Sequence, residues 1–170
     1  KKRVPIRNNM KKILKEDNRS VIIRDGDKVI KTFPTPRPAF SSEYNWLHYY
    51  ESFYNMYGGV VRVHEVNENR IVMDYIDGVP FDDLKFDHSI AYKAFAAILQ
   101  NLSNMADYSS NLERVWFHRD AGSHNHIYFD GEFVLIDPDS FMMVNDPYPG
   151  AYSMHAIARS FRVFSSNENF

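Results

Sequence analysis

The chain has 170 residues, 44% hydrophobic and 25% charged, the proportions of a folded globular protein rather than a disordered one. It contains no cysteine, which excludes disulfides, thiolate zinc sites and cysteine nucleophiles at once. The net charge is −2, but residues 1–15 hold seven of the 20 Lys and Arg residues and none of the 22 acids, so the remainder is acidic.

At this length roughly 70% of the unfolded surface can be buried, enough for a core without metal or disulfide staples. No apolar run approaches the roughly 20 residues that cross a bilayer, and the basic start lacks the apolar stretch of a signal peptide. The composition implies a soluble, cytoplasmic protein. The basic arm could touch phosphate or an acidic surface, but it is read as a solubilising terminus, with no nucleic acid and no membrane as partner.

In chain order, Met10–Lys15, Ser20–Arg24 and Lys28–Phe33 read as strands, with Asp25-Gly26-Asp27 as a hairpin turn. Pro34, Pro36 and Pro38 forbid a helix directly after the third strand. Ser41 or Ser42 then caps a helix to about Tyr57, with Glu43 in its first turn, and Gly58-Gly59 ends it. That helix is aromatic almost all round, an excess that would suit a partner or a second copy of the chain. Strands follow at Val60–Val66 and Arg70–Tyr75. A long helix is predicted from the spacing of Ile90, Ala94, Phe95, Ile98, Leu99, Leu102 and Met105. A late hairpin pairs Ile127–Phe129 with Phe133–Ile136 around Asp130-Gly131, and residues 151–164 read as a final helix. The expected fold is α+β in two lobes: 1–76 with a five-stranded antiparallel sheet and one helix, and 77–170 as a reduced, largely helical lobe.

The richest segment is Phe117-His-Arg-Asp-Ala-Gly-Ser-His-Asn-His126, followed by Leu135-Ile-Asp-Pro-Asp-Ser-Phe141. The hairpin between them folds the chain back, so Asn125 and Asp137 can stand side by side. An amide oxygen and a carboxylate are hard ligands suited to Mg²⁺, and Asp120 could accept a proton from an attacking hydroxyl. A second pattern, His118-x-Asp120 with His155, has the makings of a non-haem iron triad. The packed-histidine reading of His118 is preferred, because a long helix runs immediately before it. His124 and His126 read as polar loop residues.

The segment resembles the catalytic core of the protein-kinase-like family: His118-Arg119-Asp120 with Asn125 matches H-R-D-x-x-x-x-N, and Asp137 matches the second metal-binding Asp. The resemblance implies ATP and Mg²⁺ as cofactors. It implies Lys31 on the phosphates, Glu43 as its ion-pair partner, and the hinge segment Met73, Asp74 and Ile76 against adenine. Asn125 and Asp137 would hold metal, and Asp120 would be the catalytic base. Ile136-Asp-Pro-Asp-Ser-Phe141 is most similar to the serine/threonine kinases of T7-type phages, which implies a protein Ser/Thr acceptor and, for a phage-encoded chain, the host cytoplasm.

The sequence departs from the family at several points: Glu16-Asp17-Asn18-Arg19 has no glycine, position 122 is Gly where protein kinases place Lys, Pro138 replaces the Phe of Asp-Phe-Gly, and no Ala-Pro-Glu segment follows it in the sequence. Two alternatives follow: a pseudokinase serving as a protein-binding module, and a small-molecule kinase of the aminoglycoside or sugar type.

Overall fold

Alternation and turn chemistry build the first half of the chain. The computed structural model describes residues 11–40, 45–84, 88–110, 112 and 114–144, so Glu43, His155, the helix expected at 151–164 and residues 1–10 of the basic arm lie outside the described residues. The chain divides into two compact units, one of residues 1–47 and 63–75 and the other of 48–62 and 76–170.

The first unit is a five-stranded antiparallel sheet of β1 (Lys12–Glu16), β2 (Val21–Asp25), β3 (Lys28–Thr32), β4 (Val63–Asn67) and β5 (Arg70–Asp74). Its order is β1-β2-β3-β5-β4. Gly26, at φ 65°, makes the tight turn between β2 and β3. Asn67 closes the β4–β5 turn by accepting the Asn69 N–H on its side chain at 3.0 Å. In β3 and β5 every second residue is buried, and the register pairs Val29 with Met73 and Lys31 with Ile71. These four side chains therefore share one face of the sheet. Phe33, Phe40 and Trp46 extend the buried surface, with ring centroids 6.0 and 5.0 Å apart. The third proline opens a single 3₁₀ turn, Pro38–Phe40, and no α-helix forms across the proline stretch, as ring-locked residues lacking N–H groups dictate. At the edge, β1 is exposed along its whole length and bulged between Ile13 and Lys15, features that blunt an open strand.

In the second unit the aromatic helix becomes core. Helix α1 (Trp46–Tyr57) contributes Tyr50 and Phe53, which pack on Phe141 at centroid distances of 5.3 and 5.5 Å. Phe53 also meets Tyr108 edge-on at 5.5 Å. Tyr50 donates its hydroxyl to the Val61 carbonyl at 2.6 Å, which satisfies the one polar atom of a buried ring. Helix α2 (His88–Ser110) buries Ala94, Ile98 and Met105 of the expected stripe together with Ala91 and Tyr108, while Leu99 of that stripe is exposed.

The expected hairpin is present as β8 (His126–Phe129) and β9 (Glu132–Leu135), turned by Asp130 and Gly131 at φ 51° and 86°. The structure adds β6 (Val79–Pro80) beside β8. It also adds an antiparallel ladder between β7 (Val115–His118) and β10 (Phe141–Val144). The region expected to be mostly helix is thus richer in strand. No described helix is long and apolar enough to cross a membrane.

Candidate active site

The β7–β10 ladder places Phe141 opposite His118, which brings the loop after β7 beside the turn before β10. Arg119 N–H donates to the Ser140 carbonyl across this junction at 2.8 Å. From the other side, Ile136 N–H donates to the Asn125 carbonyl at 2.7 Å, extending the β8–β9 pairing of His126 with Leu135. Asn125 and the approach to Asp137 therefore adjoin at the backbone, as the turn-back in the sequence requires.

One imidazole ties the loops together. His118 Nδ1 accepts the Asp120 N–H at 3.1 Å, and His118 Nε2 lies 3.0 Å from the Asp137 carbonyl. A carbonyl only accepts, so Nε2 carries the proton. Burial pushes the His118 pKa down to about 4, against the pull of Asp137 and Asp120, so the ring is neutral at pH 7. Phe141 meets it edge-on at 4.8 Å. With both nitrogens engaged in these bonds, His118 is the packed histidine, and the iron-triad alternative loses its first ligand.

Asn125 donates Nδ2 to the Asp120 carbonyl at 2.7 Å. Its amide nitrogen is thereby used, and Oδ1 is the atom suited to a cation. Asp137 sits in the left-handed region at φ 66°, ψ 56°, a conformation uncommon outside glycine and tolerated best by Asn and Asp. Ser140 Oγ donates to its Oδ2 at 2.9 Å, and Ser140 N–H to its carbonyl at 3.0 Å. A strained backbone held in place by its surroundings is a mark of functional sites. The donor set fits Mg²⁺, which takes one or two protein oxygens and fills its octahedron with phosphate and water. No group of three or more His, Asp or Glu side chains suited to a metal occurs among the described residues, so a dedicated all-protein cage is not on offer there.

In the sheet unit, Lys31 is buried on the apolar face between Val29 and Phe33, at 7% exposure. A lysine is almost never placed so without a purpose or a partner. Met73 shares that face. Asp74 alternates to the other face, where its Oδ1 accepts Lys28 Nζ at 2.6 Å and His64 Nε2 at 2.7 Å. Desolvation raises the Asp74 pKa, but these two donors outweigh it and the net shift is downward. Tyr75 N–H, between Asp74 and Ile76, donates to the Asp27 carbonyl at 2.8 Å. The β1–β2 turn holds a finding the sequence only hinted at. Asp17 Oδ1 accepts the N–H groups of both Arg19 and Ser20, at 2.8 and 2.9 Å. Its pKa falls to about 2 through Lys15 and those two amides.

No family model matches the chain, and no curated protein matches it by sequence. Solved structures do. Rio2 kinase from Chaetomium thermophilum superposes with a TM-score of 0.62 at 16% identity, covering 92% of this chain. The chain has a protein-kinase-like fold. A choline/ethanolamine kinase family protein from Mesorhizobium loti gives a TM-score of 0.53 at 12% identity, covering 93% of this chain and 71% of its own. This kinase-like chain spans 55% of the length of the Rio2 kinase chain.

The five-stranded sheet is therefore the N-lobe sheet of a kinase-like fold, as its sequence pattern implies. Two loop histidines take more specific places than that of polar loop residues. His126 is buried, with Nδ1–H on the Gly122 carbonyl at 3.0 Å and Nε2 beside Asn101 Nδ2 at 3.3 Å. Burial pushes its pKa down to about 4. His124 Nε2 lies 2.9 Å from Asp120 Oδ2. A 3₁₀ turn at Ser123–Asn125 brings these two residues, four apart in sequence, within contact distance.

Proposed function

We propose that the chain is an ATP- and Mg²⁺-dependent phosphotransferase, acting on a serine or threonine hydroxyl of a protein as in the phage-type kinases. The observation that carries this is the His118 bridge: one neutral imidazole holds the Asp120 N–H and the Asp137 carbonyl, while Asn125 holds the Asp120 carbonyl. Those are the three residues such chemistry needs, on one hydrogen-bonded frame. The Rio2 kinase structure is an ADP/Mg²⁺-phosphoaspartate complex, which supports the choice of nucleotide and metal.

In this reading Lys31 binds the α- and β-phosphates and Glu43 orients it. Backbone groups at Asp74 and Ile76 hold adenine beside Met73. Asn125 and Asp137 hold Mg²⁺, which when bound neutralises phosphate charge. Asp120 orients the acceptor hydroxyl and takes its proton as the oxygen bonds to the γ-phosphorus and the bond to ADP breaks. Rate comes mainly from positioning and electrostatics.

Labelled transfer from γ-³²P-ATP to casein tests this. Asp120→Asn should lower transfer by at least about 100-fold, the scale of a lost general base. Undiminished transfer would overturn the role of Asp120. A second reading, the pseudokinase module, is favoured by Asp17, which engages two amides in the turn where kinases offer backbone N–H groups to phosphate. Nucleotide binding without transfer to any acceptor would select it. Transfer to choline or an aminoglycoside but not to casein would select the small-molecule alternative.

A further inference from the structure

His118 takes the Asp120 N–H and Asn125 donates to its carbonyl, so its backbone is fixed on both sides, and His124 meets its carboxylate. His124 Nε2 lies 2.9 Å from Oδ2, and an ionised carboxylate can only accept, so Nε2 is the protonated nitrogen. The space for that ring comes from Gly122. A Cβ there would stand 3.1 Å from both Cε1 and Nδ1 of His124, tighter than ordinary van der Waals contact. Gly122 itself has φ −71° and ψ 169°, a conformation open to any residue. The glycine is thus explained by the ring beside it and not by the backbone.

We propose that His124 is a positioning residue for Asp120, its imidazole occupying the room beside Gly122 and fixing the carboxylate that receives the acceptor's proton. Where the resemblance leads one to expect a lysine side chain at position 122, this chain leaves that position bare and reaches Asp120 from two residues further on. The inference rests on the phosphotransferase reading above.

The test uses the full chain, with ADP release from Mg-ATP and casein as the measurement. His124→Leu should lower kcat by about 10- to 100-fold, the cost of a misplaced catalytic group, with KM for both substrates unchanged. His124→Gln keeps an N–H at similar reach and should restore kcat to within about threefold, the worth of one modest hydrogen bond. Gly122→Ala, which crowds the ring, should fall between them. In long-range ¹H–¹⁵N spectra His124 should show the Nε2–H tautomer. Full kcat in His124→Leu, equal loss in the Leu and Gln variants, or an Nδ1–H tautomer would each overturn the proposal while leaving the phosphotransferase reading intact. A parent chain that turns over no ATP would remove that reading and this inference together.

Discussion

The carbonyl of Asn125 accepts the backbone N–H of Ile136 at 2.7 Å, so a residue of the catalytic-type loop and the residue before Asp137 are locked in register. The metal reading can be tested at Asp137 without disturbing that lock. Asp137→Asn keeps a residue type that tolerates the left-handed backbone and keeps an oxygen for the Ser140 hydroxyl. It removes the charge that a divalent ion needs. The melting temperature without ligand should therefore stay near that of the parent. The rise in melting temperature with Mg-ATP should shrink to the rise seen with ATP and EDTA. An unchanged Mg-ATP response would take Asp137 out of the metal site.

Gly78 stands where the chain enters β6, and a Cβ there would lie 2.6 Å from Ile127 Cγ2, 3.1 Å from Phe129 Cβ, and in contact with the Tyr128 carbonyl. Backbone cannot step aside as a side-chain tip can. Gly78→Ala should cost about 2–3 kcal/mol by overpacking, read as a lower urea midpoint. Gly131→Ala meets nothing within 4 Å but sits at φ 86°, so its cost should be about 1 kcal/mol, from the backbone alone. Equal costs at the two glycines would mean that close approach at Gly78 is not what holds β6 on β8.

What the sequence reveals of this protein follows the range of its signals. The β2–β3 and β8–β9 hairpins are legible because Asp25-Gly26 and Asp130-Gly131 are local turn signatures between apolar runs. Lys31 is singled out only by the family resemblance, since its burial on the face of Val29 and Phe33 appears in the structure alone; the closeness of Asn125 to Ile136 is legible because a hairpin must return. The β7–β10 ladder is not legible: Val-Trp-Phe-His has no alternation, and its partner begins at Phe141, far along the chain. The Asp120–His124 contact is hidden for a different reason. It depends on a 3₁₀ turn inside a loop, where no periodicity exists to read. In the same way the absence of glycine at 16–19 shows that the β1–β2 turn is unusual, but only coordinates show Asp17 closing it.

That closure makes a prediction contrary to the usual effect of mutating a kinase-like loop. Asp17→Gly removes a negative charge and frees the amides of Arg19 and Ser20 to meet an anion, as glycine-rich turns do. If phosphates lie under this turn, Mg-ATP should bind several-fold tighter, and the gain should shrink as salt rises, since exposed charges are screened. Asp17→Asn, which keeps the side-chain acceptor and loses the charge, should gain less than Asp17→Gly. Calorimetric titration of the two variants beside the parent separates amide release from charge removal. No change in either would place the phosphates away from β1–β2.

Acid should unfold the second unit through two histidines buried as neutral rings. His118 and His126 both fall to about 4, in each case chiefly by desolvation, while an unfolded histidine titrates near 6.5. Between these values the unfolded chain binds protons that the native chain does not, so stability rises with pH across that window and falls on acidification. The loss amounts to about 3 kcal/mol for each ring by pH 4, because every tenfold difference in proton affinity between the two states is worth about 1.4 kcal/mol. Above pH 7 neither group contributes a slope. Urea unfolding at pH 7, 6 and 5 should show the decline. Replacing His126 by Gln, which keeps a donor near the Gly122 carbonyl but cannot titrate, should lower stability at pH 7 and flatten the decline by about half, since two equal titrations share it. A parent whose unfolding free energy stays level from pH 7 to 5 would mean that these rings take up protons in the native state as readily as in the unfolded chain. Below about pH 6.5 the Nδ1 of His118 could not then accept the N–H of Asp120.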